Sequence, residues 1–95
     1  MRILLVDDEK KIVTVLKAYL QQEGFQVSTA LNGLIALTMF KESPFDLLIL
    51  DLMLPGMSGT EICREIRKVS SVPIIMLTAK VDEEDRIQVI KYWGR

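Results

Sequence analysis

The chain has 95 residues, 49% hydrophobic and 26% charged, with 12 basic against 13 acidic side chains and a formal net charge of -1. That length admits one domain over residues 1–95 and a single core; the composition excludes a disordered chain, and the even charge balance leaves no electrostatic footprint for nucleic acid. The absence of histidine removes histidine catalysis and histidine-rich zinc sites from this chain, and a lone Cys63 cannot close an internal disulfide.

The first element is the apolar run Ile3-Leu4-Leu5-Val6, expected of a parallel strand covered on both faces. From about Lys10 the positions Ile12, Leu16, Tyr19 and Leu20 recur at helical spacing, and Gly24 supplies a stop. Phe25 to Thr29 alternates weakly and reads as an outer strand. Asn32-Gly33 opens a second helix carrying Ile35, Ala36, Leu37, Met39 and Phe40, which Pro44 ends. Leu47-Leu48-Ile49-Leu50 is the third strand, and Pro55-Gly56 marks a turn. Ser58-Gly59-Thr60-Glu61 has capping-box spacing, and Ile62, Ile66 and Val69 give that third helix its buried stripe. Pro73 leads a fourth strand, Ile74-Ile75-Met76-Leu77. Asp82-Glu83-Glu84-Asp85 then places negative charge at a helix start, with Ile87, Val89, Ile90 and Trp93 following as a fourth helix.

Strand and helix alternate with short links, which predicts four βα units with right-handed crossovers. The fold class is α/β, a doubly wound parallel sheet in the order 2-1-3-4. No apolar run approaches the roughly 18 residues needed to cross a bilayer. Acidic residues close the first run after four positions, unlike a signal peptide. The expected setting is the cytoplasm, away from membranes. A mean hydropathy of +0.26 is high for a short soluble chain and predicts apolar surface for a partner to cover.

Chemistry concentrates at the strand ends. Asp7 and Asp8 follow the first strand, Asp51 follows the third, and the fourth ends at the hydroxyl of Thr78. Ligands of open α/β sheets sit outside the carboxyl ends of the strands, and in this order the first and third strands adjoin at the switch point. The three carboxylates are therefore expected to converge into a site for a hard cation and a phosphoryl group. Each residue also has a plainer role: Asp7 or Asp8 as a helix cap, Asp51 as a loop acid, Thr78 as a strand-end hydroxyl, Lys80 as a solvated lysine, and Tyr92 and Trp93 as packing residues.

Leu5-Val6-Asp7-Asp8-Glu9, Asn32-Gly33, Asp46-Leu47-Leu48-Ile49-Leu50-Asp51, Met53-Leu54-Pro55-Gly56-Met57-Ser58-Gly59 and Leu77-Thr78-Ala79 together resemble a response-regulator receiver domain of two-component signalling. The resemblance runs from residue 3 to about 87, and the wording is most similar to receivers joined to winged-helix DNA-binding domains. It implies a flavodoxin-like fold and a phosphoacceptor rather than an enzyme, beyond self-phosphorylation or self-dephosphorylation. Asp51 takes a phosphoryl group from a sensor histidine kinase in that reading. Asp7 and Asp8 hold Mg²⁺ with Asp51 and the backbone carbonyl of Met53, and Thr78 is the phosphoryl-sensing switch. A free-standing aspartyl-phosphatase is the competing enzyme class, but its second acid, two residues after the nucleophile, is Met53 here.

The family pattern continues with a fifth strand ending in lysine and a fifth helix, and this chain instead reads Gln88-Val89-Ile90-Lys91-Tyr92-Trp93-Gly94-Arg95. The expectation is a receiver lacking that last βα unit, with the fourth strand open as a sheet edge. Such an edge predicts a homodimer or domain swap through the fourth strand or fourth helix. It also raises the alternative of a phosphorylation-impaired receiver acting only as an interaction module.

Overall fold

The computed structural model describes residues 1–52, 54–79 and 87–92, with side chains described as far as residue 77. The elements are β1 (Arg2–Val6), α1 (Lys10–Gln22), β2 (Gln26–Ala30), α2 (Gly33–Glu42), β3 (Leu47–Asp51), α3 (Gly59–Arg67), β4 (Ile74–Ala79) and β5 (Ile87–Tyr92). They build one sheet in the order β2-β1-β3-β4-β5. The first four strands are mutually parallel, with Val6 opposite Leu50 and Asp51 opposite Leu77.

The strands read as unbroken apolar runs because both faces are covered, and period-2 alternation divides them between two cores. Leu4, Val6, Leu48, Leu50, Ile74 and Met76 face Ala36, Ile62, Cys63 and Ile66 from α2 and α3. Ile3, Leu5, Ile49 and Leu77 face the other way, onto Val13, Leu16 and Leu20 of α1. Among the described residues α1 is the helix on that second face; Leu47 and Ile75 stay only half-buried there, and Val15 and Tyr19 are exposed.

Helix boundaries follow local chemistry. Asn32 caps α2, its side chain accepting the Ile35 N–H at 2.9 Å. Ser58 and Glu61 close the expected capping box on α3 with bonds of 3.2 and 3.1 Å. α1 ends before Gly24, whose φ of +94° suits a residue without a Cβ. Val69 departs from the expected stripe: α3 stops at Arg67, so Val69 lies past the helix and is exposed, while Cys63 fills the buried face.

The larger correction concerns the end of the described chain. Residues Ile87–Tyr92 form a strand and not the expected helix, pairing antiparallel with β4 from Ala79↔Ile87 to Ile74↔Tyr92. A fifth strand is therefore present, β4 is not the open edge, and the dimer or swap expected through that edge loses its basis. The physical reason is that Ile87, Val89, Ile90 and Tyr92 are strand formers. Beside them, the unsatisfied backbone of β4 offers a ladder of hydrogen bonds that a helix could not complete. The acidic run 82–85, Lys80 and Trp93 lie outside the described residues.

Candidate functional site

The carboxyl ends of β1 and β3 bring Asp7, Asp8 and Asp51 together: one oxygen from each carboxylate lies within 4.8 Å of the other two. The parallel register makes this unavoidable. Asp7 follows Val6, Asp51 follows Leu50, and those two strand residues are direct partners. Asp7 is 1% exposed and Asp51 9%, whereas Asp8 is exposed. Two acids thus form the floor and the third stands at the mouth.

Asp7 is fixed from both sides. Its N–H donates to the Ala30 carbonyl at the end of β2 (3.1 Å), and its Oδ1 accepts the Glu9 N–H at 2.9 Å. The expected helix-capping role of the acidic pair is met only in this form, because the N-cap position of α1 is Glu9, which makes no side-chain cap bond. Burial pushes the Asp7 carboxyl up to about 6, against the Glu9 amide that favours its charged form; a hydrogen bond with Asp51 and the charges of Asp51 and Asp8 raise it further. Like charges are thus held together where water cannot screen them well. Hard divalent cations take such oxygens and leave positions for water or phosphate, so the donor set fits Mg²⁺.

The segment after Asp51 is equally constrained. Leu52 donates to the Leu77 carbonyl of β4 at 2.9 Å, and its own carbonyl accepts the Gly59 N–H of α3 at 3.1 Å. A Cβ on Gly59 would stand 2.6 Å from the Asp51 carbonyl oxygen, so α3 starts in direct contact with the site's backbone. The sequence reads Ser58-Gly59-Thr60-Glu61 as a cap and Ser58-Gly59 as the end of a family motif; the signal for this second role is a glycine, a poor helix former, at the first helical position. Thr78 follows Leu77, the partner of Asp51, which puts its backbone beside the acidic cluster. The side chain of Thr78 and all of Met53 lie outside the described residues.

Leu31, Leu34 and Ile35 are exposed at the start of α2, and a hollow of about 460 Å³ lies between Asn32–Ile35 and Pro55–Met57. No helix among the described residues is long and apolar enough to cross a membrane.

Comparison with known proteins agrees with this arrangement. The transcriptional regulatory protein ResD of Bacillus subtilis is 47% identical over 87 residues, 92% of this chain and 36% of ResD. The sensory transduction protein RegX3 of Mycolicibacterium smegmatis is 45% identical over 85 residues, 90% of this chain and 37% of RegX3. The chain thus spans little more than a third of the length of these relatives. Among solved structures, the response regulator TrrA of Thermotoga maritima, in complex with Mg²⁺-BeF, superposes with a TM-score of 0.79 at 49% identity, covering 84% of this chain and 70% of that one. A complex of TrrA with the histidine kinase ThkA matches at a TM-score of 0.78 and 46% identity, covering 90% and 74% of the two chains. The response regulator receiver domain model matches residues 3–93, which takes in all three strand-end acids, and the chain belongs to that family.

Proposed function

We propose that this receiver domain accepts a phosphoryl group on Asp51 in a Mg²⁺-dependent transfer from the phosphohistidine of a sensor kinase. The convergence of three carboxylates within 4.8 Å, two of them buried, is the observation that carries the reading. Asp7, Asp8 and Asp51 would hold the ion together with the Met53 carbonyl. Bound there, Mg²⁺ supplies charge neutralisation between the carboxylates and the phosphoryl oxygens.

An oxygen of the Asp51 carboxylate attacks phosphorus in line as the bond from phosphorus to the kinase imidazole nitrogen breaks, and the pair stays on that nitrogen. Alignment and charge neutralisation make up nearly all of the catalysis such a transfer needs, and an aspartate forms the acyl phosphate directly. The modification adds about -1.5 to -2 charge units, by analogy with other phosphorylated side chains. The Thr78 hydroxyl donates to a phosphoryl oxygen and moves toward the site, which couples the new charge to β4. Water attack on the acyl phosphate resets the domain. The partner is a histidine kinase, a reading that the complex of ThkA with TrrA, a structural relative, supports; the expected setting is the cytoplasm.

The test is intact-mass spectrometry after incubation with Mg²⁺ and a small acyl-phosphate donor, wild type against Asp51→Asn. A phosphoryl adduct on wild type alone supports the proposal. Its absence from folded wild type, or its persistence in Asp51→Asn, overturns it.

A further inference from the structure

Gly59 begins α3, although alanine is the better helix former wherever its Cβ has room. The glycine is explained by what surrounds it. A Cβ there would lie 2.6 Å from the Asp51 carbonyl oxygen, 3.0 Å from Leu52 Cα and 3.3 Å from the Asp51 carbonyl carbon. Carbon–oxygen contacts of this kind sit at about 3.3 Å or beyond, so something would have to move by roughly 0.7 Å.

The strand cannot easily be what moves. Asp51 is paired with Leu77, and the Leu52 N–H is bonded to the Leu77 carbonyl at 2.9 Å. α3 is confined on its other side by the start of α2: a Cβ on Gly33 would stand 2.8 Å from Ile62 Cδ1 and 3.0 Å from Met57 Cβ. The load would fall on the backbone at Asp51–Leu52, where the Leu52 carbonyl accepts the Gly59 N–H at 3.1 Å. We infer that Gly59 is a positioning residue for the acidic centre. Its missing side chain lets α3 close onto the Asp51–Leu52 peptide and sets the placing of the Asp51 carboxylate relative to Asp7 and Asp8. This inference rests on the proposed Mg²⁺ site.

The experiment is calorimetric titration of Mg²⁺ into the full chain, with thermal melts of the metal-free proteins, for wild type, Gly59→Ala and Gly24→Ala. Gly24 is the control: its φ of +94° makes alanine strained, with nothing within 4 Å of the added Cβ, and it lies at the end of α1. Metal ligands need placing to about 0.5 Å, and an error near 1 Å costs about 100-fold in the analogous catalytic case. Gly59→Ala is therefore expected to weaken Mg²⁺ binding about 10-fold or more, while Gly24→Ala melts lower yet binds within about twofold of wild type. A folded Gly59→Ala that binds within about twofold of wild type overturns the inference, as does an equal loss in Gly24→Ala. Should Gly59→Ala not melt cooperatively, Ser58→Ala decides: it frees the first turn of α3 without adding volume, so weaker binding supports the inference and unchanged binding overturns it. Wild type that binds no Mg²⁺ overturns the acidic centre itself and the inference with it.

Discussion

Asp7 and Asp51 leave adjacent parallel strands one residue beyond the paired Val6 and Leu50, so two carboxyl groups enter one nearly water-free floor. The metal-free protein bears the cost of that arrangement. Asp7 ionises near 3.8 in an unfolded chain and at about 6 when folded. Below the lower value both states hold the proton and above the upper value neither does; between them only the folded chain holds it. The contribution of Asp7 therefore turns against folding as pH rises from about 4 to about 6, and the cost stays in full above that. It is on the order of 2–3 kcal/mol. Urea melts of metal-free protein at pH 4.5 and 7 should show this loss in wild type and a smaller one in Asp7→Asn, which can still accept the Glu9 N–H. Equal pH dependence in the two proteins would remove Asp7 as its source.

Mg²⁺ should reverse that cost, since a ligand that binds only the folded state stabilises it by mass action. Asp8 is the exposed acid of the three and the one most easily removed without disturbing the core. Asp8→Ala is expected to leave the metal-free melt nearly unchanged and to weaken Mg²⁺ binding about 10-fold or more, while Glu65→Ala on α3 leaves it unaltered. Both titrations belong at about 0.15 M salt, where long-range attraction between the ion and net charge is largely screened. Equal affinities for wild type and Asp8→Ala would take Asp8 out of the ligand set.

The acidic cluster was legible in the sequence because it depends on two short-range facts: apolar runs that must be parallel strands, and acids immediately after them. The capping box at Ser58 and Glu61 was legible for the same local reason. Two features were not. Ile87–Tyr92 carries apolar residues at spacings that serve a helix or a strand, and the neighbouring unpaired edge of β4 decides between them. The approach of Gly59 to the Asp51 carbonyl is a tertiary contact between residues eight apart: a glycine opening a helix signals some constraint, but only the fold shows which group imposes it.

Ile66 joins α3 to the inner core and is fully buried. Ile66→Ala is expected to cost about 2–5 kcal/mol, the transfer loss plus the cavity. That is a large part of the roughly 5–15 kcal/mol that holds a domain of this kind together. The neighbouring Val69, although apolar and expected from its spacing to lie in the same stripe, is 73% exposed. Val69→Ala should fall within about 0.5 kcal/mol of wild type. Denaturant midpoints for the pair check the end of α3 directly: comparable losses would mean that the helix runs on past Arg67 and buries Val69.

The antiparallel course of β5 has a consequence for phosphoryl transfer. The family resemblance implies a lysine at the end of a fifth strand, paired with the phosphoryl group. Here Lys91 stands opposite Ile75, while Asp51 stands opposite Leu77, two residues further along β4. That separation is about 7 Å along the strand and two strand spacings, about 10 Å, across the sheet. Lys91 is therefore at the wrong end of its strand for the role, and running the strand backward is what puts it there. Lys91→Ala should form the acyl-phosphate adduct at a rate within about twofold of wild type in a time course by intact mass. A drop of about tenfold, near 1.4 kcal/mol of transition-state stabilisation, would instead put an ammonium from β5 at the phosphoryl group and require a different register for that strand.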